Sequence, residues 1–216
     1  MHLAEDSIPM NGAIATAVQR RPTDDNPKKI PKAKKLRYFT TMNEQTLDPK
    51  RYPIGACEYQ TEYSKEQIQQ YLLDIETFPA RLEYVVQHLS EQQLQSPYRE
   101  GGWTLNQVIH HCADSHLNAL LRIKLALSVD NPTISPYPED LWAEMSDYTL
   151  PFNNSITLLF AVHRKLNILL RSLDQAQLNR TYYHPQYQKT FRVSDVICLY
   201  AWHGNHHLAH ITQTLA

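Results

Sequence analysis

Seven of the eleven histidines fall in two short windows, HHCADSH at 110–116 and HGNHHLAH at 203–210. Neutral imidazole is the commonest protein ligand for borderline divalent metals, so two such windows point to metal chemistry. An α-helix advances about 100° per residue, which sets rings four residues apart about 40° from each other on one face. His203 and His207 can therefore reach a single ion, but so can His203 with His206, or His206 with His210. The apolar face separates these pairings. Val196, Tyr200, His203, His207 and Ile211 form one stripe, with His206 and His210 to its side. A third nitrogen has to come from another helix, where His110 and His111 lie about 100° apart and only one can face inward. His111 shares a face with Val108, Ser115 and Ala119, whereas His110 pairs with Asp114 one turn on. The expected ligand set is His111, His203 and His207.

Three imidazoles on one side of an ion suit zinc, nickel, cobalt or iron, with zinc first on general grounds. A site with three protein ligands keeps a position open, as catalytic zinc sites do, where the ion activates water near neutral pH or holds a cosubstrate thiolate. Gly204 and Asn205 follow His203, so there is no H-E-x-x-H and a zincin-type protease is disfavoured. The plainer reading is that helical histidines are surface or hydrogen-bonded core residues; it is the second window that tips the balance. Other residues near the two windows have a functional and a bland reading alike. Asp114 and Ser115 are candidates to orient a ligand ring, and Cys112 adjoins His111 but as a buried thiol acts more often as a small hydrophobe. Trp103, Tyr137 and Trp142 are candidates to wall a pocket mouth. Arg122, about three turns beyond His111, is a candidate for an anionic substrate or an ordinary salt bridge.

Four long helices have to position these residues. The first begins at Ser64, which forms a capping box with Gln67, and carries Ile68, Leu72, Ile75, Phe78, Leu82, Val85, Val86 and Leu89; Pro79 predicts a kink or break near Thr77. A turn follows through SEQQLQSPYREGGW. Thr104 with Gln107 opens the second helix, which ends before Asp130, Asn131 and Pro132. The long connection 132–154 predicts a short helix from about Glu139 to Met145. A third helix runs from Ser155 to about Leu173, TYYHPQYQKTFRV is expected to be irregular or weakly extended, and Ser194 is expected to cap the fourth helix. The pattern is that of an all-α four-helix bundle.

Composition narrows the classes. A net charge of −1 leaves no basic field for nucleic acid, and no apolar run reaches the roughly 18 residues of a membrane span. Three scattered cysteines, Cys57, Cys112 and Cys198, make no disulfide framework and suggest a cytoplasmic setting. Residues 1–48, with RRPTDDNPKKIPKAKKLR and no apolar periodicity, are expected to be a disordered extension before a domain at 49–216. Met42 is an alternative start, which would make the preceding residues an over-called one.

Five strings, RYPIG (51–55), PYREGGWTLNQVIHHCADSHLNALLRIKLAL (97–127), PTISPYPEDLWAE (132–144), YYHP (182–185) and YAWHGNHHLAHIT (200–212), together resemble the YfiT branch of the DinB-like four-helix bundles. The resemblance implies a metal-dependent hydrolase, a cytoplasmic homodimer with one divalent metal per subunit, and a small-molecule substrate. The wider superfamily includes transferases that use thiols such as bacillithiol and mycothiol, so a thiol S-transferase is the second expectation and a non-enzymatic metal-binding dimer the third. By position, the family's metal histidines fall on His111, the second of the HH pair, and on His203 and His207, the first and last of W-H-x-x-x-H. The chain departs from the family in residues 1–48 and in its short tail after His210, neither of which touches the ligands.

Overall fold

The computed structural model describes residues 47–215; all of the expected extension except Leu47 and Asp48, and the alternative start at Met42, lie outside the described residues. In chain order the elements are α1 (Lys65–Val86), α2 (Glu91–Leu94), α3 (Leu105–Ser128), α4 (Glu139–Trp142), a 3-10 turn (Ser146–Thr149), α5 (Asn153–Arg171), α6 (Gln175–Leu178), β1 (Thr181–His184), β2 (Lys189–Arg192) and α7 (Val193–Leu215). The four long helices form a bundle. Both α1 and α3 pack against α5 and α7, so the order around the bundle is α1, α5, α3, α7. Successive long helices thus sit across the diagonal twice, and the connections 87–104 and 172–192 have to cross the bundle. No helix among the described residues is long and apolar enough to span a membrane.

The starts of α1 and α3 are the expected capping boxes, Ser64 with Gln67 and Thr104 with Gln107. Elsewhere the boundaries differ from expectation, each for a local reason. α1 runs unbroken through the buried Pro79 and stops at Val86. α5 begins at Asn153 without any side-chain cap. α7 begins at Val193, ahead of the expected cap Ser194, because the Asp195 carboxylate accepts from the Arg192 backbone N–H at 3.0 Å and from its guanidinium. The expected irregular link is a two-stranded antiparallel hairpin in which Tyr182 faces Phe191, both buried. Its turn closes with Gln188 at φ 50°, a conformation more typical of glycine or asparagine.

The interior has two apolar layers. Leu72, Ile75, Ala119, Ile123, Val162, Leu166, Val196, Ile197 and the hairpin's Tyr182 and Phe191 form one; Phe78, Leu82, Leu105, Val108, Ile109, Cys112, Leu159 and Ile211 form the other. On α3 the boundary falls at Ser115 and His116, and on α7 at His203 to His210, so a band of histidine lies between the layers. Gly204 sets how closely α7 approaches α1 there. A Cβ at Gly204 would stand 2.9 Å from Cδ2 of Phe78.

Overpacking costs about 1–3 kcal/mol, while replacing a helical glycine gains about 1 kcal/mol. Gly204→Ala is therefore expected to lower stability by up to about 2 kcal/mol in urea unfolding; an unchanged or raised midpoint would show that α1 and α7 do not depend on this contact. Acid should destabilise the metal-free protein as well. Burial pushes His163 and His184 down to about 4, below the ordinary 6.5. Depressed imidazoles stabilise the fold fully above pH 6.5, and that contribution drains away as pH falls toward 4, at up to about 3 kcal/mol for each group. Urea midpoints flat between pH 7 and 4.5 would contradict this.

Candidate metal centre

His111 stands in the middle of α3, and His203 and His207 occupy successive turns of α7, the helix packed beside it. Each ring offers one nitrogen such that all three ligand atoms lie within 4.8 Å of one another. Nε2 of His111 and Nε2 of His203 are 3.3 Å apart, close to the roughly 3.3 Å edge of a tetrahedron with metal–nitrogen bonds of about 2.0–2.1 Å. Desolvation holds all three rings uncharged, His203 pushed down to about 3 and His111 and His207 well below their usual value. Uncharged nitrogens converging in a buried position are what a borderline divalent ion requires, and the donor set fits one. Among the described residues no cysteine, carboxylate or further histidine joins the group. His111 and His207 are buried and His203 is half-buried.

The remaining candidates take definite places. His110 contacts Ser155 Oγ at 2.7 Å and the Leu150 carbonyl at 3.0 Å, tying α3 to the start of α5 rather than to Asp114. Asp114 accepts from the Tyr148 hydroxyl at 2.7 Å and orients no ligand ring. Ser115 does approach one: its Oγ is 3.5 Å from His203 Nε2. Cys112 is fully buried in the second apolar layer, where desolvation raises its thiol pKa. The Trp103 ring lies 4.6 Å from that of His111, whereas Tyr137 and Trp142 pack on each other at 4.4 Å. His206 stacks on Trp202 at 4.3 Å, to the side of the group.

Arg122 makes no ion pair within 4.0 Å among the described residues. Its guanidinium carbon is 5.7 Å from the Tyr137 ring and it donates weakly to the Ser135 carbonyl at 3.4 Å. Around it is a polar cluster that the sequence did not reveal. The Tyr200 hydroxyl donates to the Ser115 carbonyl at 3.0 Å, and Tyr200 and Tyr137 both interact with Ser115. Glu139, at the start of α4, completes the cluster: burial and the neighbouring Asp140 raise its carboxyl to about 7, against the pull of Arg122. Nothing local marks Glu139 in the sequence, because its environment is made by the fold of the 132–144 loop over α3.

Residues 74–211 match the model of the DinB superfamily. A protein of Halalkalibacterium halodurans named "putative metal-dependent hydrolase" is 46% identical over 165 residues, covering 76% of this chain and 96% of its own length. One of Oceanobacillus iheyensis with the same description is 45% identical over 163 residues, covering 76% and 94%. The solved structure of YfiT from Bacillus subtilis, described as a "probable metal-dependent hydrolase with an unusual four-helix bundle topology", superposes with a TM-score of 0.76 at 40% identity, covering 77% of this chain and 96% of that one. By the span of these matches and the superposed fold, the chain belongs to the DinB superfamily, as a four-helix bundle of the YfiT kind.

Proposed function

We propose that the protein is a metal-dependent hydrolase whose divalent ion, zinc before nickel, is held by His111, His203 and His207. The observation that carries this reading is the convergence of three uncharged imidazoles, two buried and one half-buried, with no fourth side-chain ligand among the described residues. A divalent ion held there would supply a Lewis acid and a water nucleophile at neutral pH. The chain's own groups supply the rest. Arg122 and the Tyr137 hydroxyl offer hydrogen bonds to substrate oxygens, and beside Arg122 lies Glu139, its carboxyl near neutrality. The apolar layers on either side of the histidine band keep bulk water from the ligand rings.

Metal analysis of the purified wild type is expected to give about one ion per chain, with His203→Ala and His207→Ala losing it; equal stoichiometry in all three would remove the site. A panel of esters and amides, run beside bacillithiol plus an electrophile, tests the reaction class. Turnover only with thiol would make the protein an S-transferase, and metal binding without turnover in either arm would leave a non-enzymatic bundle.

A further inference from the structure

Three buried histidines outside the ligand set, His116, His163 and His210, stand directly behind the two ligands of α7. Their contacts form two chains. In the first, His163 Nδ1 meets the backbone carbonyl of Ile75, His163 Nε2 is 2.8 Å from His116 Nδ1, and His116 Nε2 is 3.1 Å from His203 Nδ1. In the second, His210 Nε2 is 3.2 Å from the carbonyl of Arg51, and His210 Nδ1 is 3.4 Å from His207 Nδ1.

Each chain has one consistent set of protons. A carbonyl only accepts, and a neutral imidazole carries one N–H, so its second nitrogen must accept. His163 therefore donates from Nδ1 to Ile75 and accepts at Nε2 from His116 Nδ1–H; His116 in turn accepts at Nε2 from His203 Nδ1–H. This leaves His203 Nε2 as a bare lone pair. On the other side His210 donates from Nε2 to Arg51 and accepts at Nδ1 from His207 Nδ1–H, which leaves His207 Nε2 bare in the same way. The first chain depends on Pro79. In an α-helix the N–H of residue 79 would take the Ile75 carbonyl, but proline has none, so that carbonyl is left for His163.

We propose that His163, His116 and His210 are positioning residues of the metal centre: two hydrogen-bonded chains, anchored on the carbonyls of Ile75 and Arg51, fix the ring proton of His203 and of His207 on Nδ1 and aim both Nε2 lone pairs at the ion. The proposal rests on the metal-site reading above. What it adds is a set of residues on α3, α5 and α7, anchored on carbonyls of α1 and of Arg51, that act through the ligands without touching the ion. Groups of this kind orient ligand rings and raise their basicity, and removing one typically weakens metal binding about 10–100-fold.

Long-range ¹H–¹⁵N correlation spectra of the full chain, labelled at histidine and free of metal, read the tautomers directly. Protons are expected on Nδ1 of His163, His116, His203 and His207 and on Nε2 of His210; a proton on Nε2 of either His203 or His207 would overturn the proposal. Competition titration with Zn(II) alone is the second readout. His163→Phe and His210→Phe, checked for a native circular dichroism spectrum, are expected to bind Zn(II) about 10–100-fold more weakly and to show mixed tautomers at His203 and His207 respectively. If neither variant folds, the wild-type tautomers alone decide. Wild-type affinity in both variants would reduce the two chains to core structure. Wild-type protein with the expected tautomers but no Zn(II) binding would remove the metal reading and the positioning role with it, while the proton assignment stood.

Discussion

Burying an imidazole imposes two conditions together: the ring must give up its charge, and each nitrogen must meet a partner of matching polarity. Eight histidines are buried in this bundle; His163, His116 and His210 meet both conditions through hydrogen-bonded chains, while Nδ1 of His111, His184 and His206 has no hydrogen-bond partner among the described residues. Charge is given up by desolvation, which lowers the basicity of the rings throughout the band. Matching is harder, because two facing ring nitrogens need one proton between them. Backbone carbonyls solve the problem at the ends of the chains, and the ring nitrogens left bare at the other ends converge where a cation can complete them.

Helix packing serves the same constraint. With α3 beside α7 and α1 across the diagonal from α3, rings from α3 and α7 meet in the centre while α1 contributes apolar surface and a carbonyl. Phe78 of α1 has two tasks. It occupies the space left by Gly204 on α7, and its ring lies flat on His116 at 5.2 Å with an interplanar angle of 15°. One contact thus sets both the spacing of two helices and the attitude of a histidine behind the site. The missing side chain in W-H-G-N-H has its counterpart in an aromatic ring some 126 residues earlier in the sequence.

What could be read from the sequence followed from how far apart the cooperating residues lie. The helix starts at Ser64 and Thr104 were legible because a capping box is written within four residues. The same rule would have found the one-turn helices at Ser90 and Asp174, each with a glutamine three positions on. The hairpin was not legible: its strands are four residues long and its turn places glutamine where glycine is usual. The start of α5 carries no side-chain cap to read. The three converging histidines emerged from helical faces because each window presents its own periodicity. His163 is the sole histidine of its helix, and nothing around it announces a partner on α1 or α3. Pro79 was legible as an interruption, but not as the source of a free carbonyl, since that role exists only once α5 has packed against α1.

The two histidines whose nitrogens lie 3.3 Å apart are separated by 92 residues of chain. Between them the polypeptide must build α5, cross the bundle and turn the hairpin before α7 can be laid down. A ribosome that has released α1, α3 and α5 has therefore made one member of the candidate set, His111, without the two that stand on α7. The candidate donor set is thereby complete only when the last helix has been laid into the bundle.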